Sequence, residues 1–130
     1  MMEHTIKILT GVAGMVTSFL FGGWTVLLQT LVVFMVIDYV SGVAVASYLR
    51  ELNSQIGFKG IAKKVMILSL VAVGHLLDQI ILGDGQLLRD AVIFFYMANE
   101  LISILENVSK TSLPVPTKLK NTIKILKGDE

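Results

Sequence analysis

The sequence predicts an all-α integral membrane protein made of helical hairpins. It has four apolar helices, three or four of them spanning, and a short basic amphipathic helix at the C-terminus. Three observations predict this. The 130 residues are 54% hydrophobic and 16% charged, with a mean hydropathy of +0.74, too apolar for an ordinary soluble domain and far from a disordered composition. Between Ile8 and Leu49 only Asp38 is charged; a small soluble core cannot absorb such a run, whereas about 20 apolar residues make one membrane-spanning helix. The apolar stretches also lack the alternation of barrel strands, and hydrocarbon offers exposed backbone groups no partner, so the spans are helical.

The first stretch, residues 5–21, ends at Gly22-Gly23, the pair best suited to break a helix. It is short for a span. Glu3 and Lys7 cancel and the apolar run continues past them, so a cleaved leader is not expected and the start is read as retained structure. The second stretch, residues 24–49, opens on Trp24, an interfacial residue type. Its roughly 26 residues make about 39 Å against a ~30 Å hydrocarbon core, so it tilts or protrudes.

Arg50 to Lys64, with two glycines and four basic side chains (Arg50, Lys59, Lys63, Lys64), is expected as a loop outside the bilayer. The third stretch, residues 65–82, has about 18 residues, enough to span with little tilt. Gly83-Asp84-Gly85 makes a tight reversal. The fourth, residues 87–108, carries Asn99, Glu100, Ser103, Glu106 and Asn107 and is the least lipid-like. Residues 1–108 therefore form a transmembrane domain and residues 109–130 a cytoplasmic tail, hinged at Pro114 and Pro116. In the tail, TKLKNTIKILK places Leu119, Ile123 and Leu126 on one face and its lysines mostly elsewhere. That pattern suits a helix lying on an anionic leaflet and equally a solvated tail that obeys topology.

Basic residues are retained on the cytoplasmic side. With four spans, Lys7, the 50–64 segment and the tail share one side and hold ten of the eleven basic residues, leaving Arg89 outside. Both termini are then cytoplasmic. With three spans only Lys7 changes side, so charge counting barely separates the two cases.

Little here supports catalysis. There is no G-x-S-x-G elbow, H-E-x-x-H motif, phosphate loop or cysteine. His75 and Asp78 offer two metal ligands where zinc takes at least three from protein. A net charge of +1 argues against a nucleic-acid partner, and no cofactor is expected.

The apolar stretches instead hold Asp38, His75, Asp78 and Glu100. A charge at the bilayer centre costs at least roughly 2.5–3.5 kcal/mol on insertion scales, so such groups face protein or water, or become protonated. Two settings are open: hydrogen bonds inside one folded chain, or a subunit interface or aqueous lumen. One small bundle has few internal positions for so many polar groups, which favours the second. Spacing groups Tyr96, Asn99, Ser103, Glu106 and Asn107 on one side of the fourth helix, with Glu100 at its edge, and His75, Asp78 and Gln79 on the third. Ser41, Gly42 and Ala46 give the second helix a small-xxx-small face for close helix approach. Asp38, His75, Asp78, Glu100 and Glu106 are thus candidates for a pore or gate, and Ser41, Gly42, Ala46, Asn99, Ser103 and Asn107 for an oligomer interface.

Taken in order, Asp38-Tyr39-x-x-Gly42, LNSQIGFKGIAKK from Leu52 to Lys64, Asp78, the run from Arg89 through Asn99-Glu100 to Ser103 and Glu106-Asn107, and Leu113-Pro114-x-Pro116 form a series. The series resembles the toxin-secretion and phage-lysis holin family of Gram-positive bacteria and their phages. The likeness runs from about Val36 to Lys127 and rests on order and spacing, each piece being weak singly; the residues before it match only as apolar sequence. The resemblance implies a protein of the bacterial cytoplasmic membrane that is not an enzyme and needs no cofactor. Such proteins assemble with their own copies in the lipid bilayer and open lesions for an endolysin or a large toxin, with an antiholin as a further partner. The competing class is a small ion-coupled transporter using an intramembrane carboxylate, and a third is a membrane adaptor acting through its basic segments.

Overall fold

The computed structural model describes residues 1–128; residues 129 and 130, the last of the expected tail, lie outside the described residues. The described residues form five helices and no strand: α1 (Met2–Phe21), α2 (Val26–Tyr48), α3 (Ser54–Ile81), α4 (Leu87–Ser109) and α5 (Thr117–Lys127). The first four are each long and apolar enough to cross a membrane.

Local chemistry sets the ends. Gly22 closes α1 in the left-handed conformation, φ 77°, which glycine adopts without steric cost. Thr25 caps α2 by accepting a hydrogen bond from the Leu28 N–H. At the far end Arg50, at φ 58°, takes the position glycine usually fills. Its N–H donates to Ser47 O and the Glu51 N–H to Ala46 O, which satisfies two last carbonyls of α2.

The loop expected over residues 50–64 is confined to its first four residues, because α3 starts at Ser54. Asn53 caps it, its Oδ1 accepting from the Ile56 N–H at 2.9 Å. Lys59, Lys63 and Lys64 are therefore helical, and only Arg50 keeps the expected loop position. Gly57 and Gly60, which read as loop residues, lie against the Tyr39 side chain. A Cβ would stand 3.3 Å from its hydroxyl at Gly57 and from its ring at Gly60, so they serve packing rather than a turn. At about 1.5 Å per residue α3 is roughly 42 Å long, and its first turns reach beyond a ~30 Å hydrocarbon core.

Helix α4 is the hub, packed against both α2 and α3, while α2 and α3 barely meet each other. Gly74 permits the α3–α4 approach: a Cβ there would stand 3.1 Å from the backbone N and Cα of Arg89. The apolar core is one layer of Leu28, Leu31 and Met35 from α2, Ile67 and Val71 from α3, and Ile93 from α4. α1 buries no residue, and touches the rest through α3 and its own C-terminal end. α5 folds back on α4, with Ile123 buried. Most other large apolar side chains point outward, as they should where the surrounding medium is lipid.

Candidate functional site

Two polar layers sandwich the apolar core. The first joins three helices. Lys64 Nζ on α3 donates to Asp38 Oδ2 on α2 at 2.8 Å and to Glu100 Oε1 and Oε2 on α4 at 3.1 and 2.9 Å. All three ammonium hydrogens thus have a carboxylate acceptor. Asn107 completes the layer: its Nδ2 donates to Asp38 Oδ1 and O and to Ser41 Oγ, while Ser41 donates to Asp38 O. At about 1.5 Å per residue, Asp38, Lys64 and Glu100 each lie some 13–15 Å from the same end of the bundle, well within a membrane-spanning depth. One cation against two carboxylates leaves the trio formally one negative charge in excess.

The second layer lies where α1 ends and α3 turns into α4. Asp78, fully buried, accepts from the Leu88 and Arg89 N–H groups at 2.9 Å each, which caps α4 from a neighbouring helix. His75 Nδ1 and Gln86 Oε1 stand 3.1 Å apart. The buried Arg89 guanidinium donates to Phe21 O, closing the end of α1, and to Asp90 Oδ1. Among the described residues no buried side-chain polar atom lacks a hydrogen-bond partner.

These contacts revise several sequence expectations. Of the two settings open to Asp38, His75, Asp78 and Glu100, the less favoured one, hydrogen bonds inside the folded chain, gives each of them a partner here, so their burial does not by itself require a subunit interface. Glu100 sits at the centre of the α4 face rather than its edge, and Asn99 and Glu106 lie at its exposed margins, Glu106 3.6 Å from Lys127 of α5. Gln79 is exposed and stands apart from His75 and Asp78. Gly42 approaches Asn107 of α4, where a Cβ would come within 3.5 Å, and Ala46 is buried, so this small-residue face is already used within the chain. Ser103 borders the trio in the groove beside it. Lys64, assigned to the loop, is the central cation, while Lys59 and Lys63 remain exposed. Arg89, expected simply outside, is a buried tie between helices.

Two signals were available in the sequence. Lys64 lies as deep in its helix as Asp38 and Glu100 in theirs once Asn53 is read as a cap and α3 starts at Ser54. Asp78 lies in the last turn of α3, directly before the glycine-rich reversal that leads into α4.

Among the described residues no three His, Asp or Glu side chains gather as metal ligands. What two polar sheets around an apolar plug can do is hold three helices together in lipid, where the hydrophobic effect does not drive helix association.

Residues 15–128 match the model of the bacteriophage holin family. The chain belongs to that family. Among this holin-family chain's relatives is an uncharacterized protein of Listeria innocua, 52% identical over 99% of this chain and 94% of the relative. An uncharacterized 14.9 kDa protein of Clostridium perfringens is 40% identical over 87% and 86%. A protein of Bacillus phage phi105 named "Probable holin" is 30% identical over 78% and 75%. No solved structure matches the chain. Both polar layers lie within the segment that matches the holin family.

Proposed function

We propose that the chain acts as a holin. Copies gather in the cytoplasmic membrane, with both termini and the basic tail on the cytoplasmic side, and open lesions through which an endolysin or a large toxin leaves; an antiholin would act by joining the same assembly. Membership of the holin family over residues 15–128 carries this reading. The geometry supplies a mechanism. With every buried polar side chain among the described residues paired internally and an apolar exterior, a single chain is compatible with lipid and accumulates harmlessly.

Opening separates α4 from α2 and α3. Asp38, Ser41, Lys64, Glu100, Ser103 and Asn107 then exchange their internal partners for water and line a lumen between copies. Moving one charge through the full membrane potential is worth about 2.3 kcal/mol per 100 mV, so a trio in each of many copies biases the assembly strongly. Enclosing a wide passage with a small protein requires many copies around it.

Inducible expression tests this. A holin halts growth and depolarises the cell abruptly at a set time. Asp38→Asn and Glu100→Gln, at equal protein level, shift that time or abolish the event. Unchanged timing in both removes the role given to the carboxylates. Growth and potential that never change overturn the holin reading, and a substrate-dependent phenotype points to the ion-coupled transporter.

A further inference from the structure

Because α4 keeps α2 and α3 apart, a lateral opening runs between these two helices. Two cavities fill it and share Tyr39 and Lys64 as walls. The one nearer the middle of the bundle, about 270 Å³, is apolar, lined by Val32, Val36, Ile61, Val65 and Leu68. The one nearer the α2–α3 loop, about 310 Å³, is mixed, with Lys63, Lys110, Glu51 and Asn107 set among apolar walls such as Leu49 and Ile56. Lys64 is engaged by Asp38 and Glu100, whereas among the described residues Lys63 and Lys110 form no ion pair.

We propose that this opening is a binding site for an anionic phospholipid, its phosphodiester held by Lys63 and Lys110 and one acyl chain in the apolar cleft. The polarity of the opening follows that of one leaflet: charged toward the loop end, apolar toward the midplane. Val36, Ile61 and Val65 are each more than half exposed, at 55%, 52% and 56%, so a chain enters sideways from the bilayer. Lipid tails are as apolar as the cleft, and transferring one gains little, so the headgroup decides affinity. Basic pockets between transmembrane helices suit anionic headgroups. Glu51 at the same mouth disfavours a free phosphate dianion and tolerates the single charge of a phosphodiester.

The full chain, purified in detergent, is equilibrated with equal phosphatidylglycerol and phosphatidylcholine, and the retained lipid is read by native mass spectrometry. The expected preference for phosphatidylglycerol is about tenfold. It falls to near parity in the Lys63→Gln, Lys110→Gln double variant and persists in Lys118→Gln, Lys120→Gln, which removes the same charge from α5. Ile61→Trp, filling the cleft, lowers retention of both lipids. Helix content and elution volume check folding; should the double variant fail to fold, Lys110→Gln, placed just after α4, carries the comparison alone. Equal retention of both lipids by the native chain, equal loss in the α5 variant, or displacement by millimolar glycerol phosphate overturns the proposal. None of these readouts depends on lysis.

Discussion

The Lys64 ammonium lies 2.9 Å from Glu100 Oε2 across the α3–α4 contact, and both side chains are largely shielded. Removing the cation strands two carboxylates, and unpaired buried charges of this kind cost about 3–5 kcal/mol. Lys64→Met therefore lowers the melting temperature of the detergent-solubilised chain sharply. Adding Asp38→Asn and Glu100→Gln to it recovers most of the loss, because the layer then holds no charge. Thermal unfolding followed by circular dichroism checks both, and a Lys64→Met chain as stable as the native one refutes the pairing.

Asp78 caps α4 with both carboxylate oxygens. Asp78→Ala leaves the Leu88 and Arg89 N–H groups without acceptors in a buried place, at a cost of about 1–3 kcal/mol. Amide exchange at Leu88 and Arg89 rises in this variant while exchange near Lys64 stays slow. A uniform rise along α4 counts against a local cap.

Gly74 and Gly11 make a matched pair. Alanine at 74 meets the Arg89 backbone at 3.1 Å, while nothing lies within 4 Å of a Cβ at 11. Gly74→Ala is expected to destabilise by roughly 1–3 kcal/mol through overpacking, and Gly11→Ala to be neutral or slightly stabilising through helix propensity. Denaturation in mixed micelles separates the two.

Arg89 Nη1 holds Phe21 O at 2.9 Å. Arg89→Gln frees the end of α1 without disturbing the Lys64 layer. The chain contains no cysteine, so spin labels at introduced cysteines in α1 and α3 report only those sites. Their distance distribution broadens in the variant, while labels on α2 and α4 keep theirs.

The apolar runs and glycine pairs made the four long helices legible, because length, hydropathy and turn chemistry act locally. The start of α3 was hidden for the opposite reason. Gly57 and Gly60 resemble loop residues until Tyr39, a distant side chain, is seen resting on them. Lys63-Lys64 beside an apolar run looks like a membrane boundary, and Lys64 becomes a partner for Asp38 and Glu100 only once α3 is known to start ten residues earlier. Gly42 and Ala46 read as a face for close helix approach, but their spacing carried no information on whether the partner lay in the same chain. Intramembrane carboxylates were recognised as sheltered groups, and their sheltering partners depend on how three helices meet.

From Met2 to Val16 every residue of α1 is exposed, and the helix is secured only near Phe21 and Gly22. Its 20 residues make about 30 Å, close to the hydrocarbon thickness itself. A rod anchored at one tip and bathed elsewhere by acyl chains takes its inclination from the bilayer rather than from neighbouring helices. Thinning or thickening the membrane is therefore expected to change the tilt of α1 more than that of the three helices tied together by the Lys64 layer.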